Sequence, residues 1–265
     1  MRIHPGTAVF HPQAASMNLP GIRNVTFDQP LHWLRDGARD FARAWPLSLF
    51  YGVVFALLGY ALVHAAEGRP HLAMALASGF LFVAPLLATV FYCLSHRLEH
   101  HHKLPRLFVP LLSWRSNPSS LGLFAVMLVF VLISWERISA ILVGLFLNGS
   151  GIGGLSDLLS IGAVQQHTDF VLAYLAFGGV LALMMFSLSV VSLPMLLHRK
   201  VDFATALVTS FMATRLNFPV MLLWGALIAG LIAVGMATDF VAMAVIFPWL
   251  GHASWHAYRE LVEHE

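Results

Sequence analysis

The sequence predicts an all-α integral membrane protein with six transmembrane helices and both termini cytoplasmic. Three observations predict it. Of 265 residues, 58% are hydrophobic and only 11% charged, too apolar a balance for a chain that meets water on every side. The apolar residues gather into runs near the roughly 20 residues that cross a hydrocarbon core. When those runs are threaded back and forth, 13 of the 15 basic residues fall on one side, leaving only Arg69 and Arg137 elsewhere.

The expected spans are Pro46–His64, Leu72–Ser95, Leu121–Trp135, Phe170–Leu197, Phe218–Ala237 and Phe240–Tyr258. Residues 1–27 read as a cytoplasmic tail and 28–265 as the membrane domain. The opening MRIHPGTAVFHPQ has no apolar core of a cleavable signal peptide, so the first span is expected to direct insertion. Just before that span, Leu31, Leu34, Ala38, Phe41 and Trp45 make an apolar stripe, and Arg35, Arg39 and Arg43 a basic one. This pattern predicts an interfacial helix, apolar side towards lipid and arginines at anionic headgroups.

Internal similarity organises the rest. ARAWPLSLFYGVVFALLGYAL (Ala42–Leu62) aligns with RLNFPVMLLWGALIAGLIAVG (Arg215–Gly235), matching Pro46 to Pro219 and Gly52 to Gly225. RSNPSSLGLFAVMLVFVLISW fits more loosely, with Pro118 in the same place. The expectation is three units of interfacial helix plus transmembrane hairpin, about 28–99, 104–197 and 201–261. Counted from the shared proline, Glu136 falls where the other units leave the membrane. Glu136 and Arg137 then read as an ion pair at the outer interface, with ISAILVGLFL lying on or dipping into the leaflet. The rival reading puts the two charges at membrane depth, on a solute or proton path. Both readings stand at this point.

Histidine is abundant, at 14 residues, and most are expected at the cytoplasmic ends of helices. His252 and His256 lie four apart in FPWLGHASWHAYREL, on one helical face. Together with His198 and His96 they are the candidate ligands for haem or a transition metal, with Glu99 as a nearby carboxylate. Two other readings compete: a buried, hydrogen-bonded pair, or an interfacial belt with Trp249, Trp255 and Tyr258. The His100–His102 run reads as a solvated loop.

Several classes are excluded. The one cysteine, Cys93, rules out a disulfide framework or a cysteine-built metal cluster within one chain. A formal net charge of +2 gives no basic patch for nucleic acid. Walker, dinucleotide, HExxH and nucleophile-elbow patterns are missing, so an enzyme is not expected. The leading expectation is a non-catalytic accessory, assembly or scaffold subunit held by helix packing and lipid contacts. A small-solute or ion transporter and a haem- or metal-binding membrane protein are the rivals.

The blocks DQPLHWLRDGARDF, SLSVVSLPMLLHRKVDFATALVTS, NFPVMLLWGALIAGL and FPWLGHASWHAYREL together resemble a bacterial family of integral membrane proteins, domain-of-unknown-function family 2189 (DUF2189). The resemblance covers nearly all of the chain after about residue 25. One departure is that His198 stands in LLHRKVD where the family pattern implies an acidic residue. The resemblance implies a multi-pass protein of the bacterial inner membrane. Relatives labelled as cytochrome c oxidase proteins imply partner subunits of a respiratory complex. The catalytic subunit of such an oxidase carries haem and copper on a larger bundle, so an accessory or assembly role is what the resemblance leaves.

Overall fold

A computed structural model describes residues 9–10, 19–66, 69–100, 106–147 and 165–263. Among them, helix is interrupted only by a two-stranded pair, β1 (Val9–Phe10) with β2 (Ile22–Arg23), and by connecting turns. The helices are α1 (Gln29–Arg43), α2 (Trp45–His64), α3 (Pro70–Leu87), α4 (Thr89–His100), α5 (Pro118–Phe146), α6 (Thr168–Ser189), α7 (Ser192–His198), α8 (Phe203–Leu216), α9 (Phe218–Ala237) and α10 (Met243–Leu261). A 3-10 turn, Pro110–Ser116, precedes α5.

Four helical stretches are long and apolar enough to cross a membrane: Trp45–His64, Pro118–Phe146, Thr168–His198 and Phe218–Ala237. The helices α2, α5 and α9 each open on a proline in the first turn, where its missing N–H costs nothing. Of the two other expected spans, Leu72–Ser95 is divided into α3 and α4 at Ala88, just after Pro85, which cannot donate to the helical ladder. In α10, the run of His252, Trp255, His256, Tyr258 and Arg259 dilutes the apolar character.

The expected third span is corrected. Helix α5 does not stop near Trp135 to leave ISAILVGLFL lying on the leaflet; it runs for 29 residues through Glu136 and Arg137 to Phe146. The physical reason is local: Ile138–Val143 directly after the pair contain no proline, glycine or cap, and Arg137 Nε meets Glu136 Oε2 at 3.0 Å on the helix's own surface. Glu136 stands 18 residues beyond Pro118, which is about 27 Å at the helical rise, near the thickness of the hydrocarbon core.

The stretch Thr168–His198 is broken at Val190–Val191. One hydroxyl from α8 repairs the break: Ser210 Oγ donates to Ser187 O at 2.7 Å and accepts from the Val191 N–H at 3.1 Å. Buried backbone groups need such partners, which explains a serine at that depth.

Helix α10 is the centre of the bundle, packed against α1, α2, α4 and α9. Its buried residues include Ile246, Phe247, Leu250, His252, Trp255 and Tyr258, so beyond the exposed Val245 it is covered on most of its circumference, as an interior helix is. Two glycines allow the closest crossings. A Cβ on Gly37 of α1 would lie 2.6 Å from Ala253 N, and one on Gly52 of α2 would lie 2.0 Å from Ala244 O. The apolar stripe of α1 stays largely on the outside, with Leu31 and Trp45 exposed, as do Arg35, Arg39 and Arg43. The face that α1 buries is a different one: Trp33, Gly37 and Asp40.

At the end of α10, Val262 bridges Ile22 and the Glu263 N–H donates to Gly21 O at 2.9 Å, so the two terminal segments meet. Asn217, between α8 and α9, fastens the same region. Its Nδ2 donates to Arg23 O at 3.0 Å and its Oδ1 accepts from the Val25 N–H at 2.8 Å.

Candidate functional site

Polar residues at the heart of the bundle form a chain of hydrogen bonds across four helices. His252 of α10 is fully buried. Its Nε2 lies 2.9 Å from Ser48 Oγ of α2, and its Nδ1 lies 2.8 Å from Ser95 Oγ of α4. A neutral imidazole has one donor and one acceptor nitrogen, so one serine gives a proton to the ring and the other receives one. The Ser95 hydroxyl also bonds to the Asp40 carboxylate of α1. Asp40 Oδ2 in turn stands 2.9 Å from His256 Nε2 on α10. Burial acts to raise the Asp40 pKa, but the hydrogen bond and charge of His256 and the Ser95 bond outweigh it and hold the carboxyl below its ordinary 3.8.

This arrangement differs from a nucleophilic triad, in which a carboxylate orients the imidazole and a single hydroxyl attacks. Here the imidazole lies between two hydroxyls and the carboxylate bonds to one of them. Chemically, it satisfies both ring nitrogens of the fully buried His252 and gives the Asp40 carboxylate a partner in His256, and a satisfied polar network helps fix one packing of a core.

A second group lies one turn further along α4. His96, Glu99 and His100 present ligand-type atoms that all lie within 4.8 Å of one another. His198, at the end of α7, brings its ring to 5.0 Å from that of His96, centroid to centroid. Trp255 packs against both rings, at 5.3 Å from His96 and 5.6 Å from His198. Glu99 is held at both oxygens: Trp255 Nε1 donates to Oε1 at 3.0 Å, and Arg259 Nε stands 3.3 Å from Oε2. His198 Nδ1 lies 2.9 Å from the Tyr258 hydroxyl.

The four expected histidine ligands therefore divide. His96 and His198 come together, whereas His252 bonds to two serines and His256 to Asp40. His101 and His102 lie outside the described residues. Glu136 and Arg137 pair with each other on α5, away from both groups. Arg39 meets Asp36 at 2.6 Å on the surface of α1, and Arg43 stands 3.9 Å from Asp40. Ser48, Ser95 and Asp40 were not expected at the site. The one signal for Asp40 was its place after Trp33 and Gly37 on a single face of α1, at helical spacing.

A groove of about 520 Å³ opens between the helices. Its walls carry small residues, Gly178, Gly179 and Ala182 on α6 and Gly225, Ala226 and Ala229 on α9, and Phe247, Leu250 and Gly251 of α10 make its floor. Neither His252 nor Glu136 lines it.

No curated protein and no solved structure matches the chain. The region matched by a family is narrower than the resemblance read from the sequence, because DQPLHWLRDGARDF, NFPVMLLWGALIAGL and FPWLGHASWHAYREL fall outside it. Residues 73–198, from early in α3 to the end of α7, match the family model DUF2189, described as predicted integral membrane protein, and the chain's long apolar helices agree with that description.

Proposed function

We propose that the chain is a non-catalytic accessory, assembly or scaffold subunit of a complex in the bacterial inner membrane, with a respiratory oxidase as the candidate complex. In this reading the α3–α4 pair and α10 supply two further crossings beside the four long apolar stretches, and both termini face the cytoplasm. The meeting of residues 21–22 with 262–263 supports placing both termini on one side, and the concentration of basic residues there supports the cytoplasmic assignment.

The observation that carries the proposal is the groove between α6 and α9. Small residues on both walls let a third backbone approach closely, which is how helices associate where lipid removes the hydrophobic drive. The occupant proposed is an apolar transmembrane helix of a partner subunit. The walls belong to two stretches of membrane-crossing length and the lining is almost wholly apolar.

A photo-reactive residue at Ala229, activated in native membranes, tests this. The expected product is a stoichiometric adduct with one distinct membrane polypeptide. Gly225→Leu should abolish it with the melting temperature unchanged, because a Cβ there meets only the Phe186 ring at 3.8 Å. Adducts with lipid alone, adducts with a second copy, or a partner retained by Gly225→Leu would each overturn the proposal.

A further inference from the structure

We propose that His96, Glu99 and His100, with His198 as the fourth ligand, bind one divalent late first-row transition ion of the zinc class. In His96-Arg97-Leu98-Glu99-His100 the two histidines stand four apart, the spacing at which two imidazoles of one helix hold a zinc ion, and Glu99 lies on the same side of the helix. Positions three and four apart share a helical face, so α4 offers two imidazoles and a carboxylate in one direction. Their ligand-type atoms lie within 4.8 Å of one another. A tetrahedral ion with bonds of about 2.0–2.2 Å holds its ligands about 3.4 Å apart, so small side-chain rotations close the site.

Convergence from elsewhere in the chain separates this group from a chance pair of surface histidines. His198 arrives from α7, its ring 5.0 Å from that of His96. Metal ligands are usually fixed by a second contact, and each of three ligands here has one. His100 Nδ1 lies 2.9 Å from the His96 carbonyl oxygen, which can only accept, so Nδ1 carries the proton and the ring lone pair sits on Nε2. Glu99 is oriented by Trp255 and Arg259, and His198 by Tyr258. His96 is half-buried, while Glu99 and His100 are exposed, so an ion can reach the group from solvent. Imidazole with one carboxylate favours zinc, copper, nickel or cobalt over magnesium or calcium, which take oxygen ligands.

The experiment uses the full chain without a polyhistidine tag, in lipid nanodiscs, titrated with Zn²⁺ by calorimetry and with Co²⁺ by visible absorption. One Zn²⁺ per chain is expected, and the Co²⁺ complex should show the intense bands of a four-coordinate site. His96→Gln and His100→Gln should each abolish binding, and His198→Gln should weaken it at least tenfold and weaken the Co²⁺ bands. Trp255→Phe, which frees the Glu99 carboxylate, should weaken binding 10–100-fold. His252→Gln and a His101→Gln/His102→Gln double variant should bind as the parent does. Absence of binding would overturn the proposal. So would binding that survives both His96→Gln and His100→Gln, or that disappears with the His101/His102 double variant. Thermal melts of each variant separate loss of a ligand from loss of the fold.

Discussion

His256 on α10 holds Asp40 on α1, Nε2 to Oδ2 at 2.9 Å, across the interface where the amphipathic helix docks on the bundle. The side chain of Asp40 is 8% exposed, so its charge depends on this contact and on Ser95. Asp40→Asn keeps the shape and removes the charge. Bonds to a buried charge contribute about 1.5–3 kcal/mol, and the variant should lose about that much stability at neutral pH. The sign of the pH dependence follows from a pKa held below the ordinary 3.8. The carboxylate's contribution is complete above the unfolded value and lost as pH falls through the folded one. Melting curves of parent and variant should therefore stay apart from pH 7 to pH 5 and converge below about pH 4.

Glu260, on the same helix, has the opposite sign. Trp33 Nε1 donates to its Oε2 at 2.7 Å, yet burial, with Asp36 adding to it, pushes the carboxyl above its ordinary value. A raised carboxyl pKa favours the folded state at low pH, and that contribution is lost as pH rises through the folded value. Glu260→Gln keeps an acceptor for Trp33 without the buried charge. At pH 7 it should melt slightly higher than the parent, by about 0.5 kcal/mol, a modest figure because solvent still screens a partly buried group. The difference should vanish near pH 4.

The glycines at the α10 crossings make a third test. Gly37→Ala and Gly52→Ala would drive a methyl into backbone at 2.6 Å and 2.0 Å, so helices and not side chains must move. Each should cost about 1–3 kcal/mol, Gly52→Ala the more. Gly122→Ala, on α5, meets nothing within 4 Å and should be neutral or stabilising by about 0.5–1 kcal/mol through helix propensity. Thermal unfolding in nanodiscs orders the three variants.

The α2, α9 and Thr168–His198 stretches were legible in the sequence because lipid demands long apolar runs, and these have them, the last even across its break at Val190–Val191. The proline at the start of α2, α5 and α9 was legible for the same local reason. The end of α5 was not, because Glu136 and Arg137 look like a stop signal although side chains that pair on the helix surface do not stop it. The site was half legible. His252 clearly needed a partner, but Ser48 and Ser95 lie 204 and 157 residues away, and a serine has no pattern that marks it as inward-facing. Gly37 hid the buried face of α1, since a glycine adds nothing to an apolar stripe yet permits the closest packing.

His252 offers the sharpest test of the buried chain, because its two hydrogen bonds make distinct demands on different helices. His252→Phe fills most of the ring's volume but leaves the hydroxyls of Ser48 and Ser95 without the imidazole. An unsatisfied buried hydroxyl costs about 1–3 kcal/mol, so the variant should lose about 2–4 kcal/mol, with Ser95 partly relieved by its bond to Asp40. Ser48→Ala alone should cost about 1–2 kcal/mol, because it leaves one imidazole nitrogen unpaired at full burial. In the His252→Phe background the same Ser48→Ala change removes an orphan and should be neutral or stabilising. The two substitutions are therefore non-additive, with a coupling of about 1–2 kcal/mol measured by a double-mutant cycle of unfolding free energies. Strict additivity would mean that Ser48 and His252 do not touch in the membrane. Such a result would leave Ser95 as the ring's remaining hydroxyl partner at the centre of α10.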